Sequence, residues 1–369
     1  MRIVVTSTLV PGTKLGKPIY NEQGQILVNA NVPLTEMMIN RLHILGISFV
    51  YIQDPLTEDI QIEKTISDEL RIESTKKIED TFIKFQNEES HLRWLSLEKS
   101  TSQLKGIITS LLKELKENKD MLSLLADVFC YDEYIFSHSL NVTMYALAIG
   151  INLGMSQKQL DLLGLGALLH DVGKMVVPLS ILEKPGRLTD DEYEQIKLHT
   201  SAGYEILRTV PNIHSVVAIC ALQHHERLNG SGYPHGISGE EMHQYSKIIA
   251  ISDVFDAVTS NRVYRQAMLP HEGLELLYSG SDKLFESTLI QTFRESLSIY
   301  PTGLTVKLND GRQGVVCRQN RMSSDRPIVR ILEENGGSVS IPYELNLYEN
   351  LNLVIVECDT TFKHRVAQF

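Results

Sequence analysis

Two adjacent histidines and a glutamate stand in the stretch LQHHERLNGSGYPHG, residues 222–236, with a Gly-Ser-Gly-Tyr-Pro turn close behind. Each imidazole carries two ring nitrogens that need partners, so neighbouring histidines are poor core material. One reading is an exposed helix end whose histidines cap carbonyls, followed by a loop. The other is a pair of metal ligands. The segment LLGLGALLHDVGKMVVP sharpens the choice, because it is almost wholly apolar up to His170 and Asp171, with Gly173 and Lys174 just beyond. Placing an imidazole, a carboxylate and an ammonium at the end of an apolar helix is expensive unless they coordinate something. An internal Asp171–Lys174 ion pair is the competing explanation. Neighbours on a helix point about 100° apart, so His170 and Asp171 can reach one point only close to the helix end.

Three further segments add donors. His138 lies in YDEYIFSHSLNVTMYALAIGINLG, read as an amphipathic helix, and His199 lies in the apolar stripe of LTDDEYEQIKLHTSAGYEILRTV. The latter opens with Thr189 as a helix cap and acids in the first turn. Asp253 follows the apolar run IIAIS, with Asp256 three residues later, one turn on. Five segments thus bring His138, His170, Asp171, His199, His224, His225 and Asp253 to buried apolar faces. Nitrogen and oxygen donors without thiolate suit iron, manganese or zinc. Seven donors exceed what one tetrahedral ion needs. They suit two ions sharing one carboxylate, and Asp171 is the natural bridge.

The elements that must position these groups occupy the middle of the chain. Residues 1–57 read as a small β-rich unit, with strands in RIVVTSTLV, GQILVNANVPL and ISFVYIQD around a helix from Thr35 to Gly46. Residues 58–108 read as an amphipathic helical linker, with Ile62, Ile66, Leu70, Ile78, Phe82 and Phe85 on its apolar side. The helical pattern extends to 125. A homodimer or signal-transmitting contact through 58–125 competes with simple packing on neighbours. Residues 109–300 stay helical and hold the histidines. Residues 301–369 alternate with Asp-Gly and Gly-Gly turns, which predicts a small antiparallel β-domain.

Bulk properties exclude several classes. The net charge of -11 over 369 residues argues against polymeric nucleic acid, which needs a basic footprint. It leaves room for a small phosphorylated ligand met by local cations. Eight of the 12 histidines fall between 138 and 243, the strongest compositional signal. Cysteines 130, 220, 317 and 358 form no C-x-x-C pair and read as free thiols. No run approaches the roughly 18–20 apolar residues of a membrane span. The start, MRIVVTSTLVPGTKLG, reads as a strand and not a signal peptide, so a cytoplasmic location is expected.

The ordered set His138, HDVGK at 170–174, His199, HHERLNGSGYP at 224–234 and SDVFDAVTSNRVYR at 252–265 resembles the HD-GYP branch of the HD phosphohydrolase superfamily. The match covers about 175 residues, and the combination is far more specific than an isolated His-Asp pair. The resemblance implies a mainly α fold, an all-helical HD-domain bundle with a buried binuclear metal site, flanked here by the small β-rich ends. It implies hydrolysis of cyclic di-GMP to pGpG, and often on to GMP, with iron or manganese as the two divalent ions. Carried over by position, His138, His170, Asp171 and Asp253 hold one ion, and Asp171, His199, His224 and His225 the other. Lys174, Arg262 and Arg265 match phosphate-contacting positions, with Asp132 a further nucleotide contact whose competing role is helix capping. Gly232, Tyr233 and Pro234 form the signature loop.

Two departures matter. Tyr134 stands where some members have a third-metal glutamate, although Glu133 is adjacent. Asn229 stands where many have aspartate. Three other readings remain in view: a silent cyclic di-GMP receptor, which the full ligand set disfavours; an HD hydrolase of another nucleotide; and an iron-based redox or oxygen sensor. No Gly-x-Ser-x-Gly or reactive cysteine points to a protein nucleophile.

Overall fold

A computed structural model of the chain describes residues 1–21, 25–62, 64–89, 92–117, 134–182, 184, 186–260, 267–320 and 323–358. In chain order the elements are β1 (Arg2–Val5), β2 (Ile19–Tyr20), β3 (Ile26–Val28), α1 (Glu36–Ile44) and β4 (Phe49–Ile52). Then come α2 (Asp68–Asn87), α3 (Arg93–Glu117), α4 (Tyr134–Asn152), α5 (Gln157–Leu169), α6 (Leu179–Leu182), α7 (Asp190–Leu207), α8 (Ser215–Gln223), α9 (Gln244–Thr259), α10 (Pro270–Ser279) and α11 (Ser287–Glu295). The chain closes with β5 (Thr305–Leu308), β6 (Gln313–Arg318), β7 (Ile328–Glu334), β8 (Gly337–Asn346) and β9 (Ile355–Cys358). The fold is mainly α, with β structure at both ends. No helix among the described residues is long and apolar enough to cross a membrane.

Local signals fix the helix starts. Thr35 caps α1 by accepting from Met38 N at 3.2 Å. Ser156 with Gln159 and Thr189 with Glu192 form capping boxes on α5 and α7. Ser67 caps α2, so that helix begins later than the apolar spacing from Ile62 suggests. Ile62 lies outside it and packs on a different core.

The main core joins α2 and α3 to α4, α5, α8, α9 and α11 through Phe82, Leu104, Leu111, Leu140, Leu168, Val217, Ile249 and Phe293. The sequence predicts an amphipathic α4, yet α4 is buried along nearly all its described length. The cause is nonlocal: α2 and α3 pack on α4 in addition to α5 and α9. Among them, α3 runs unbroken across position 108.

The two chain ends share a second core. β1 pairs antiparallel with β4, Ile3 opposite Tyr51 and Val5 opposite Phe49. On this face Ile3, Val5, Phe49 and Tyr51 pack against Val306, Val316, Val329 and Ile331 of the five-stranded sheet β8-β7-β6-β5-β9, and against Leu304 just before it. The opposite face sends Val4, Val50 and Ile52 into a small core with Leu15, Leu34 and Leu42. Period-two alternation therefore yields strands buried on both sides. Ala267, on the way from α9 to α10, donates its N–H to Ser48 Oγ at 3.1 Å, which ties this unit to the helical body.

Candidate metal centre

Five elements deliver the sequence-predicted donors to one place. His138 comes, buried, from the second turn of α4. His170 caps the C-terminus of α5, and Asp171 opens a 3-10 turn over Val172–Val176. His199 sits on α7, His224 and His225 just past α8, and Asp253 on α9. The 3-10 turn can lie this close to α7 because of Gly173. A Cβ there would stand 1.9 Å from His199 O and 2.6 Å from Gly203 N, both backbone atoms.

Donor atoms of Asp171, His199, His224 and His225 lie within 4.8 Å of one another, and so do those of His138, His170 and Asp171. Asp171 belongs to both groups, and its two oxygens divide between them. Oδ1 is 3.4 Å from His199 Nε2 and 3.8 Å from His224 Nε2. Oδ2 is 3.3 Å from His170 Nε2 and 3.6 Å from His138 Nε2. Asp253 lies beside the second group, with Oδ1 3.1 Å from His138 Nε2 and Oδ2 3.6 Å from His225 Nδ1.

The imidazoles are pre-oriented by their own helices. The Nδ1 of His170, His199 and His224 each donates to a carbonyl three or four residues back: Ala167 O at 2.6 Å, Ile196 O at 2.6 Å and Cys220 O at 3.2 Å. That tautomer leaves each Nε2 as a lone pair pointing inward. Two such lone pairs, His199 Nε2 and His224 Nε2, face each other at 3.2 Å. His170 Nε2 and Asp171 Oδ1 are buried without a hydrogen-bond partner among the described residues. Buried lone pairs that converge without a donor are what a cation would satisfy, and the nitrogen–oxygen set fits a divalent ion.

Electrostatics agree. Burial pulls His199 down to about 4, and burial with neighbouring imidazoles holds His224 and His225 well below the ordinary value. These three are neutral at pH 7. Burial would raise Asp171, but Lys174 and then His170 outweigh it and hold the carboxyl well below its usual range. Asp253 is likewise held low against its burial, chiefly by His138. His138 is the exception. Burial lowers it, yet Asp253 and Asp256 together raise it to about 9.

Asp256 is the functional residue that the sequence left without a role. Its Oδ2 is 2.7 Å from His138 Nδ1, and its Oδ1 accepts from Asn141 Nδ2 at 3.0 Å and Ser260 Oγ at 2.8 Å. The only signal in the sequence was its one-turn spacing from Asp253. The competing Asp171–Lys174 ion pair also exists, with Nζ 2.5 Å from Oδ2, and it sits inside the cluster instead of replacing it.

The Gly-Tyr-Pro loop folds back on the histidines. Tyr233 stacks on His225, ring centroids 4.6 Å apart and planes 28° from parallel. Tyr233 N donates to His225 O at 3.2 Å. A Cβ on Gly232 would stand 2.4 Å from Glu226 Cα and 2.5 Å from His225 O, so only glycine permits this approach. After Pro234, His235 N donates to Oε1 of the fully buried Glu226 at 2.8 Å. Asn229 builds its turn by accepting from Ser231 N at 3.1 Å and Ser231 Oγ at 2.7 Å, a task that needs no charge. Asp132, Arg262, Arg265, Glu133 and the Tyr134 side chain lie outside the described residues.

Comparison with known proteins follows the same division. Residues 111–289 match the family described as HD domain, and residues 305–365 match the one described as KOW domain associated with HD domain. A cyclic di-GMP phosphodiesterase of Pseudomonas aeruginosa is 34% identical over 214 residues, covering 58% of this chain and 51% of that protein. A cyclic di-GMP phosphodiesterase response regulator of Xanthomonas campestris is 36% identical over 203 residues, 54% of this chain and 52% of that protein. A 3'3'-cGAMP-specific phosphodiesterase of Vibrio cholerae is 39% identical over 145 residues, 39% of this chain and 33% of that protein. The chain thus spans about half the length of the first two relatives, and a third of the last.

Proposed function

We propose that residues 111–289 form an HD domain of the HD-GYP kind and that the chain is a metal-dependent phosphodiesterase that hydrolyses cyclic di-GMP to pGpG, and onward to GMP, in second-messenger signalling. The observation that carries this reading is Asp171, whose two oxygens face two separate histidine groups. His138, His170, Asp171 and Asp253 would hold one ion, and Asp171, His199, His224 and His225 the other, with iron or manganese the ions that the family resemblance implies and the donors accept. Two such ions would lower the pKa of a water between them and draw charge from the phosphoryl oxygens.

The chain's own residues do the rest. Neutral His199, His224 and His225 offer lone pairs without first losing a proton. Lys174 holds Asp171 ionised and keeps a cation at the pocket mouth, its side chain 21% exposed while Asp171 is 1% exposed. An anionic phosphodiester meets that ammonium on approach, despite the acidic chain as a whole. Tyr233 and Gly232 close one wall of the mouth over His225.

The relatives are named for two substrates, so base identity is the point to test. Protein loaded with manganese or iron is incubated with cyclic di-GMP or 3'3'-cGAMP, and products are followed by chromatography. The expected result is metal-dependent pGpG from cyclic di-GMP at the higher rate. Faster loss of 3'3'-cGAMP would move the substrate assignment, and binding of cyclic di-GMP without turnover would make the protein a receptor.

A further inference from the structure

Among the described residues, the metal centre meets solvent chiefly at His225 and Lys174, with Asp253 10% exposed. Side chains of His138, His170, Asp171, His199 and His224 are 0–2% exposed, whereas His225 is 18% and Lys174 21% exposed. Tyr233 stacks on His225, and its ring centre is 6.4 Å from that of His199. Beyond Tyr233 lies Tyr193 of α7, edge to face at 6.5 Å, with 46% of its surface exposed. Lys197, one turn along α7, places Nζ 4.8 Å from the Tyr193 ring centre and 5.6 Å from that of Tyr233. Two rings and one ammonium thus form a step that leads from the metal ligands to solvent.

We infer that Tyr193, Tyr233 and Lys197 are a nucleobase ledge, on which one base of the bound cyclic dinucleotide stacks while its phosphodiester lies at the metal centre. The inference rests on the function proposed above and adds the residues that hold the base. Tyr233 is fixed for this task by Gly232, by its N–H to His225 O and by the Glu226 clip after Pro234. A ring that is already immobile loses little freedom when a base stacks on it. Tyr193 supplies the exposed face. Lys197, whose Nζ also pairs with Glu194 Oε1 at 2.6 Å, adds cation–π attraction to both rings. Every base has a π-face, so the ledge contributes affinity and does not choose between guanine and adenine.

The test compares wild type, Tyr193→Ala and Tyr193→Phe, all metal-loaded. For Tyr193→Ala, KM for cyclic di-GMP rises about 5- to 150-fold, the span of base–aromatic stacking, and KM for 3'3'-cGAMP rises by the same factor. Tyr193→Phe stays close to wild type, because the ring and not the hydroxyl carries the contact. GMP binding, measured by calorimetry, weakens in Tyr193→Ala while ribose 5-phosphate binding does not. Tyr193 could instead only brace the loop. That role would lower metal content and thermal stability and leave the GMP to ribose 5-phosphate ratio alone, and such a result overturns the ledge. An unchanged KM in Tyr193→Ala overturns it too. If wild type turns over no cyclic dinucleotide, the proposed function falls, and the GMP to ribose 5-phosphate comparison still decides the ledge: equal binding of the two rejects it.

Discussion

Asp256→Asn isolates the carboxylate behind one ion. His138 is held between two aspartates one turn apart on α9, with Asp253 Oδ1 3.1 Å from Nε2 and Asp256 Oδ2 2.7 Å from Nδ1. Asp171 and the His170 ring also lie beside it. Asparagine keeps the shape and removes the charge. Loss of such a carboxylate behind a metal-bound histidine weakens metal binding about 10- to 100-fold, or about 1.4–2.7 kcal/mol. Only the ion on the His138 and His170 side should weaken, because Asp256 does not contact His199, His224 or His225 in any pair described. The pH profile adds a second signature. In metal-free protein His138 binds its proton up to about 9, and a ligand must lose that proton. From pH 7 to 8.5 the wild-type affinity for this ion should therefore rise roughly 25-fold by proton competition. In Asp256→Asn, with His138 returned towards its ordinary value, the rise should be under about twofold. Calorimetric titration of chelator-stripped protein with manganese at the two pH values reads both. Equal weakening of both ions, or parallel pH profiles, would refute the idea that Asp256 acts through His138.

Two further perturbations probe the same architecture. Metal-free protein should lose stability as pH rises from 7.5 to 9, where the lowered His199, His224 and His225 no longer titrate while His138, raised to about 9, loses its proton; urea unfolding should show roughly 1–2 kcal/mol lost across that window, and a flat profile would contradict it. Gly173→Ala should separate the 172–176 turn from α7, because the new Cβ meets His199 O at 1.9 Å, so stability should fall by about 3 kcal/mol or more with loss of metal. Gly106→Ala on α3, with nothing within 4 Å of the new Cβ, is the control and should stabilise by up to about 1 kcal/mol in thermal unfolding.

Much of the site was legible because its donors stand at the ends of apolar runs. LLGLGALLHD and VVAICALQHH announce a buried imidazole directly. What the sequence concealed is relational. The carbonyls that orient His170, His199 and His224 are backbone atoms of ordinary helical turns, with no residue type to mark them. Asp256 resembles any polar residue one turn after another until α4 brings His138 against it. The same holds for the fold. β1 and β4 alternate as half-buried strands do, and only the C-terminal sheet, some 300 residues away, explains why both faces are covered. α4 has polar positions that suggest a wet face, yet Ser137, His138, Ser139 and Thr143 are buried, with His138 facing the site and Thr143 hydrogen-bonded to Ser139 O at 2.7 Å. Tyr193 and Lys197 read as surface residues of an amphipathic helix, and the Gly-Tyr-Pro loop alone gives them a setting.

The central claim is that Asp171 joins two divalent ions into one hydrolytic centre. The most direct measurement is metal content per chain, by elemental analysis, beside cyclic di-GMP turnover, for wild type and Asp171→Ala. The account predicts two ions and turnover in wild type, and loss of turnover with fewer than two ions in the variant. Two ions retained in Asp171→Ala, or turnover by wild type stripped of metal, would contradict it.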